Sequence, residues 1–156
     1  MKYKEEKDMY PIIANYFTSL FTSYGYNVKV YNTYKGFDIE LKKVFGNEIT
    51  LLGNYFSPDL MISLTKNGAT DFMVIEVKKD RITIKDIAQT KMYGDILKPK
   101  YLLLIGGELP EREWINYHKM NKYFLRYNSN KIVHMCPMTT RGLHASRMIP
   151  EVIYYD

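Results

Sequence analysis

The sequence predicts an α/β domain with a central mixed β-sheet flanked by helices. Three observations carry this prediction. Apolar residues recur at helical spacing from Ile12 onward, after Pro11. Two strand-like runs, Ser57 to Thr65 and Thr70 to Lys79, flank Asn67-Gly68, the strongest short signal for a β-hairpin. Tyr101 to Ile105 is a continuous apolar run, which is typical of a strand buried on both faces.

Length and composition favour one folded domain. The chain has 156 residues, 46% of them hydrophobic and 25% charged, so its apolar surface is sufficient to offset chain entropy. We therefore expect a single domain over residues 1–156. No apolar run approaches the ~18 residues that cross a bilayer, and the first residues alternate Lys with Glu instead of forming a signal peptide. We expect an intracellular protein that is not secreted and has no membrane partner.

Cysteine content and charge limit the classes of function. Cys136 is the single cysteine, so the chain forms no internal disulfide and assembles no zinc site or iron–sulfur cluster from its own cysteines. We expect Cys136 to be a small buried hydrophobic residue. The net charge of +5 favours polyanionic partners. The basic residues are spread along the chain, so any basic surface has to be built by folding.

The first third of the chain predicts a helix followed by strands. The helix starts near Asp8 and Pro11 and stops at Gly25, and residues 4–10 are candidates for an upstream extension. Val28 to Tyr34 and Phe37 to Phe45 are predicted as strands because they are rich in β-branched and aromatic residues. Lys35-Gly36 and Gly46-Asn47 are predicted turns, and residues 47–56 are ambiguous.

The remainder predicts an alternation of helices and strands. Thr83 and Asp86 have the spacing of a capping box at the start of a helix that ends before Pro99. The expected apolar stripe of that helix comprises Ile84, Ile87, Ala88, Met92 and Ile96. Gly106-Gly107 is a predicted turn. After it we expect a helix from Pro110 to Arg126, a strand from Lys131 to Met135 and a final strand from Val152 to Tyr155.

The hairpin register brings two acidic residues together. With a two-residue turn at Asn67-Gly68, the numbers of paired residues sum to 135, so Asp59 faces Glu76. Directly opposed residues place their Cβ atoms about 4.5–5.5 Å apart, and Lys78 falls on the same face as Glu76. The other face is apolar throughout, and Pro58 is tolerated at the start of a strand. The apolar positions are Leu60, Ile62, Met73, Ile75 and Val77.

This constellation predicts a metal site. Two carboxylates so close repel unless a proton or a divalent cation lies between them. Oxygen ligands without histidine or cysteine favour Mg²⁺ or Mn²⁺, with Asp59 and Glu76 as ligands. Lys78 is positioned to orient a water molecule or to stabilise negative charge on a reacting phosphate. The alternative is a solvated ion pair without function.

The segments Ser57-Pro58-Asp59 and Val74-Ile75-Glu76-Val77-Lys78 resemble the PD-(D/E)XK nuclease superfamily, whose acid, acid and lysine mark a restriction-endonuclease-like core. Glu6 to Pro11 and the helix after them are similar to the first helix of archaeal Holliday-junction resolvases, where a glutamate joins the metal site. Asp86 to Gln89, with Tyr93, resemble the helix after the active-site hairpin. The resemblance covers roughly residues 4–105, and residues 108–156 are an extension of unclear role.

The resemblance implies a Mg²⁺-dependent (or Mn²⁺-dependent) nuclease that hydrolyses DNA phosphodiester bonds. The implied catalytic residues are Asp59, Glu76, Lys78, Glu6 and Gln89. Two alternatives stay open: a catalytically inactive nucleic-acid-binding protein of the same fold, and an RNA-processing nuclease. Endonuclease and exonuclease activity are not distinguished, and a homodimer is a further expectation.

Several polar residues outside this set also have candidate roles. Lys79, Arg81 and Lys85 follow the site directly and are predicted to bind DNA phosphates, the alternative being an ordinary solvated turn. Asp38-Ile39-Glu40 could supply a competing acid, but we interpret it as part of an exposed strand. The three histidines lack metal-ligand spacing and are interpreted as surface or satisfied core residues. They are His118, His134 and His144.

Overall fold

A six-stranded mixed β-sheet forms the centre of the protein. The structure, a computed structural model, describes residues 2–53, 56–121, 124–128 and 131–151, with the backbone alone at residues 118–120. The strands of the sheet are β1 (Asn27–Tyr31), β2 (Leu60–Lys66), β3 (Ala69–Arg81), β4 (Tyr101–Glu108), β7 (His134–Thr139) and β8 (Gly142–Leu143). Two short strands, β5 (Arg126–Tyr127) and β6 (Lys131–Ile132), form a separate ribbon.

The sheet runs in the order β1-β2-β3-β4-β7-β8. The first three strands are antiparallel neighbours, β4 and β7 run parallel to β3, and β8 returns antiparallel to β7. The chain after residue 108 thus extends the same sheet by two strands. A mixed sheet with helices against it confirms the predicted α/β class.

Four α-helices of the described residues accompany the sheet. They are α1 (Tyr10–Ser23), α2 (Ile39–Leu52), α3 (Ile84–Leu97) and α4 (Arg112–Met120). Short 3₁₀ turns occur at Glu6–Asp8, Thr33–Lys35 and Ala145–Arg147. Within the described parts of the chain, no helix has the length and apolar character that crossing a membrane requires.

Each face of the sheet has its own apolar core. On one face, Ile13, Phe17 and Phe21 of α1 pack on alternate residues of the central strands, such as Ile75 and Leu103. On the other face, α2 and α3 cover the intervening residues, and their buried side chains include Leu41, Phe45 and Tyr93. The two central parallel strands are therefore buried on both sides, which explains the unbroken apolar run predicted as β4.

Several predicted elements are confirmed. The first helix ends before Gly25, and a 3₁₀ turn at Glu6–Asp8 precedes it in place of an α-helical extension. The hairpin has the predicted register, since Leu60 pairs with Ile75 and Lys66 with Ala69. Thr83 and Asp86 form the predicted capping box of α3.

The predicted strand from Phe37 to Phe45 is wrong, because this segment is part of α2. Asp38 begins the helix by accepting a hydrogen bond from the Leu41 backbone N–H at 3.0 Å. Leu41 and Phe45, four residues apart, face the core. The turn predicted at Gly46-Asn47 is partly right: both residues lie inside α2, but the backbone of Gly46 is non-helical, at φ 26°, and kinks the helix there. The predicted strand from Val28 is shorter, because a 3₁₀ turn follows Tyr31.

The turn predicted at Gly106-Gly107 is wrong as well, because both glycines lie within β4. A Cβ atom on Gly107 would stand 2.2 Å from the Lys79 carbonyl oxygen, so this position requires glycine for close strand approach. The helix predicted to end at Arg126 ends at Met120, and Val133 separates two strands in place of the single predicted one. The expected strand from Val152 to Tyr155 lies outside the described residues.

The stripe predicted for α3 is partly wrong. Ile87 is buried, but Ile84 and Ala88 are exposed. Thr90, Tyr93 and Gly94 complete the buried face together with Leu97. Position 94 requires glycine because the Tyr127 ring packs directly on the helix backbone, and a Cβ atom there would stand 2.6 Å from that ring.

Candidate active site

Two buried carboxylates meet at the open end of the β2–β3 hairpin. The outermost pair of the hairpin ladder is Leu60 with Ile75, so Asp59 lies opposite Glu76 one step outward. Asp59 is 9% exposed and Glu76 only 3%, and together with Thr33, Ser63 and Thr90 they are the buried polar residues among the described part of the chain. The register of the ladder, continued by one step beyond its last pair, therefore places the two acids opposite each other as predicted.

Asp59 is fixed by two hydrogen bonds. The Tyr10 hydroxyl of α1 donates to Oδ1 at 2.6 Å, and the backbone N–H of Val77 donates to Oδ2 at 2.7 Å. Burial raises the pKa of the Asp59 carboxyl, while the hydrogen bonds from Tyr10 and Val77 oppose that rise. The side chain is thus held in one orientation from both a helix and a strand.

Glu76 is the incompletely satisfied member of the pair. Its Oε1 atom lies 3.3 Å from the Lys78 ammonium, but its buried Oε2 atom has no hydrogen-bond partner among the described residues. Burial, followed by the repulsion of Asp59, raises the pKa of Glu76 to about 8. An unpartnered buried carboxylate oxygen is costly, so this atom requires a proton or a cation.

Lys78 remains a cation in this pocket. Burial lowers the pKa of its ammonium, but the charges of Glu76 and Glu6 outweigh that effect and the pKa is raised overall. The side chain is 25% exposed, so its charged end can reach a ligand at the surface. Lys78 therefore lies beside Glu76 on the predicted face.

Glu6 joins the site from the 3₁₀ turn before α1. The side chain is half-buried, and the Lys79 backbone donates a hydrogen bond to it. Burial raises the pKa of Glu6, Lys78 lowers it and Asp59 raises it. Mutual electrostatic effects with both Asp59 and Lys78 mean that the predicted third acid lies near the pair.

Gln89 and Tyr93 form a hydrogen-bonded chain on α3. Gln89 Nε2 donates to the Tyr93 hydroxyl at 3.1 Å, and that hydroxyl donates to the Ser57 carbonyl at 3.1 Å. Burial and then the charge of Glu76 raise the pKa of Tyr93 to about 12. Gln89 thus contacts a residue that borders the acid pair, and the chain fixes the segment that leads into Asp59.

The three predicted phosphate-binding residues have different surroundings. Lys79 is exposed and donates to the Lys4 carbonyl at 3.3 Å. Arg81 is exposed and paired with Glu108 at 2.6 Å. Lys85 is exposed on the first turn of α3.

The other candidates lie elsewhere or have structural partners. Asp38 and Glu40 stand at the start of α2, so the interpretation as an exposed strand is wrong. Glu40 accepts hydrogen bonds from Lys29 and Tyr31. His134 Nδ1 bonds to the Pro150 carbonyl and His144 Nε2 to Thr139, while the His118 side chain lies outside the described residues.

Cys136 is buried in the core, as predicted. Burial raises the pKa of its thiol to about 12, which keeps it protonated and unreactive. The cysteine therefore serves to pack the centre of β7.

The donor set fits a divalent cation with few protein ligands. Among the described side chains, no group of three or more His, Cys, Asp and Glu residues is arranged as a complete metal cage. Asp59 and Glu76 nevertheless present hard oxygen donors, and the partnerless Glu76 Oε2 is an atom that a cation would satisfy. Proteins commonly bind Mg²⁺ through one or two carboxylates, with water and substrate oxygens completing the coordination shell of the ion.

Comparison with known proteins gives no relative: no family model, curated protein or solved structure matches this chain.

Sequence reasoning missed one member of the site, Tyr10. Its hydroxyl makes the shortest described hydrogen bond to the acid pair, and its ring lies 4.9 Å from that of Tyr34. Tyr10 lies four residues after Glu6 in the sequence, but its hydrogen bond to Asp59 depends on how α1 packs on the sheet, so no local signal identifies it.

Proposed function

We propose that this protein is a metal-dependent nuclease that hydrolyses phosphodiester bonds of DNA, with a restriction-endonuclease-like core. The observation that carries the proposal is the pair of opposed buried carboxylates, Asp59 and Glu76, beside the Lys78 ammonium. Burying two like charges at one place costs several kcal/mol, on the order of the effective desolvation penalty per ion. A purely structural role would be served better by apolar residues there.

Each residue has a role that its contacts support. Asp59 and Glu76 would hold the cation, and Tyr10 and Val77 keep the Asp59 carboxylate in one orientation. Mg²⁺ held there would supply Lewis-acid chemistry, lowering the pKa of a water molecule and neutralising charge on a phosphate oxygen. Lys78 supplies positive charge beside the phosphate as negative charge develops.

Glu6 and the Gln89–Tyr93 pair support the site from two helical elements. Glu6 adds a third carboxylate near Lys78, which keeps that lysine protonated. Gln89 and Tyr93 hold Ser57, two residues before Asp59, and so fix the start of the hairpin.

A cleavage assay with EDTA and Mg²⁺ arms tests the proposal. Labelled linear, flapped and four-way DNA, with single-stranded RNA as a comparison, should show Mg²⁺-dependent cleavage of DNA by the wild-type protein and none by Glu76→Gln. Cleavage of RNA alone would favour RNA processing. Binding of DNA by a folded wild-type protein that cleaves none of these substrates would favour the inactive binding protein.

A further inference from the structure

A basic groove is lined by Lys79 and Arg81, which follow the site residue Lys78 in β3, and is formed mainly by parts of the chain outside the predicted core. Its volume is about 730 Å³. Five basic side chains line it, namely Lys2, Lys79, Arg81, Arg112 and Arg147, against two acidic ones, Glu108 and Glu111. The whole chain carries a net charge of +5, and the side chains that line this groove carry a net charge of +3. Much of the excess positive charge of the protein is therefore concentrated in the groove.

The basic residues of the groove come from four separate segments. Lys2 comes from the N-terminus, Lys79 and Arg81 from the end of β3, Arg112 from the first residue of α4 and Arg147 from the 3₁₀ turn after β8. No basic run in the sequence marks it. Folding brings these distant basic residues together, and their like charges repel one another. Binding of an anion in the groove would relieve that repulsion.

The acidic residues of the groove neutralise only part of this charge. Glu108 Oε2 accepts a hydrogen bond from Arg81 Nη2 at 2.6 Å, and Glu108 Oε1 lies 3.8 Å from the Lys2 ammonium. Arg112 and Arg147 are exposed, and neither forms an ion pair with a residue in the described part of the chain. Two guanidinium groups thus remain on the groove wall, and Arg is the side chain that best matches phosphate geometry.

The end of β3 connects the groove with the candidate active site. Lys79, on its wall, directly follows Lys78, and the backbone of Lys79 also donates to Glu6. A nucleic-acid strand held at the acid pair would therefore have a basic path from Lys79 into the groove. The lining of this path includes Gly107, where a side chain would collide with the Lys79 carbonyl.

We propose that this groove binds the backbone of the nucleic acid flanking the scissile phosphate, with Arg112 and Arg147 as phosphate-binding residues. The inference rests on the proposed nuclease function and assigns a task to the extension after residue 108. The predicted phosphate-binding residues Lys79 and Arg81 line the groove together with Lys2 and the two arginines. Lys85, the third residue predicted to bind phosphate, does not line the groove.

The test measures DNA binding without catalysis. A short fluorescein-labelled DNA duplex is titrated with protein in EDTA at several salt concentrations, using wild type, Arg112→Ala/Arg147→Ala and the charge-reversed Arg112→Glu/Arg147→Glu. The matched control, Lys43→Ala/Lys66→Ala, removes the same charge from exposed positions on α2 and at the hairpin tip. All four substituted residues are exposed, so folding is checked by circular dichroism and is expected to be intact.

We expect the double alanine variant to lose roughly tenfold or more in affinity for the duplex. The slope of log affinity against log salt concentration should be smaller by about two, since each neutralised phosphate contributes about 0.9 to it. Charge reversal should weaken binding further, and the control should stay within about twofold of wild type. Equal loss in the control, or no loss in either arginine variant, would overturn the proposal. Tight binding of polyglutamate in place of DNA would overturn it too, because the groove would then serve an acidic polypeptide.

Failure of the groove and failure of the nuclease proposal give different results. Loss of DNA binding in EDTA by the arginine variants, with no Mg²⁺-dependent cleavage by the wild type, supports the groove and overturns the nuclease. Cleavage by the wild type with unchanged binding in the arginine variants overturns the groove alone.

Discussion

Two glutamate–lysine pairs in this protein show how burial changes the chemistry of the same two residue types. Glu76 and Lys78 lie at the base of the hairpin, where Glu76 is 3% exposed. Glu40 and Lys29 lie on the surface between α2 and β1, with both side chains more than half exposed. Each glutamate also has a tyrosine nearby, Tyr93 for Glu76 and Tyr31 for Glu40.

The pKa values of the two glutamates move in opposite directions. Hydrogen bonds from Lys29 and then Tyr31 lower the pKa of Glu40, which is an ordinary solvated carboxylate. Burial and the charge of Asp59 raise the pKa of Glu76 to about 8 in spite of Lys78. The surface pair is thus satisfied by its own partners, whereas the buried pair is incomplete without a proton or a cation. This difference is the physical basis for assigning function to one pair and not to the other.

The largest expected effect is on cleavage. Asp59→Asn and Glu76→Gln each remove one carboxylate from the site, and we expect a loss of roughly 1000-fold or more in rate, because metal-held charge stabilisation is worth several kcal/mol. Glu40→Gln, the surface counterpart, should cleave at the wild-type rate. The measurement is the initial rate on labelled DNA with Mg²⁺. A folded Glu76→Gln protein as active as Glu40→Gln would remove the distinction between the pairs.

The second effect is on stability in EDTA. Because folding raises the pKa of Glu76 from an ordinary value near 4.5 to about 8, its contribution to the free energy of unfolding is complete below pH 4.5 and is lost as the pH rises through 8. Glu76→Gln removes that loss. We expect its free energy of unfolding to exceed that of wild type by roughly 5 kcal/mol at pH 9, at about 1.4 kcal/mol for each pH unit between 4.5 and 8, and by little at pH 4.

Urea unfolding across this pH range makes the measurement. Glu40→Gln is the control and should show no stabilisation at high pH, because the pKa of Glu40 is lowered in the folded state. If the unfolding free energies of wild type and Glu76→Gln have the same pH dependence, then the pKa of Glu76 is not raised by folding.

The third effect compares two tyrosine hydroxyls. Tyr10→Phe leaves Asp59 Oδ1 without its buried donor, and we expect a cost of about 1–3 kcal/mol in stability and a roughly tenfold loss of cleavage. Tyr31→Phe removes a hydroxyl that donates to the exposed Glu40 and should change neither quantity appreciably. Thermal unfolding and cleavage rates of both variants make the comparison. Equal behaviour of the two variants would argue that Tyr10 does not position Asp59.

The smallest effect concerns single lysines and arginines near the site. Changing Lys79, Arg81 or Lys85 singly to alanine should weaken DNA binding modestly, without changing sequence preference. The salt slope should fall by about one for each phosphate that the side chain neutralises in the wild type. Lys29→Ala, from the surface pair, is the control. A Lys85 variant with the wild-type slope and a Lys79 variant with a reduced slope would restrict phosphate binding to the groove side of β3.

The hairpin and its acid pair could be predicted because the information is local. Asn67-Gly68 fixes the turn, the turn fixes the register, and the register places Asp59 opposite Glu76. The capping box at Thr83 is equally local. Tyr10 could not be assigned in the same way, since its hydrogen bond to Asp59 spans 49 residues and depends on how α1 packs on the sheet.

The errors arise where one residue type serves two purposes. Phe37, Val44 and Phe45 have strand propensity, but the Asp38 cap and the four-residue spacing of Leu41 and Phe45 decide for a helix. The glycines at 106 and 107 suggest a turn by their flexibility, yet they are required because β3 approaches β4 too closely for a side chain. The basic groove could not be predicted because four distant segments supply its charges.

The most direct test of the central claim is calorimetric titration of Mn²⁺ into the metal-free protein, without any nucleic acid. If Asp59 and Glu76 are a cation site, wild type and Glu40→Gln should bind Mn²⁺ with the same affinity. Both Asp59→Asn and Glu76→Gln should lose at least roughly tenfold in affinity, as expected when a ligand to the ion is removed. Mn²⁺ binding that is unchanged in Glu76→Gln, or absent from the wild type, would contradict the assignment of the buried pair as the metal centre.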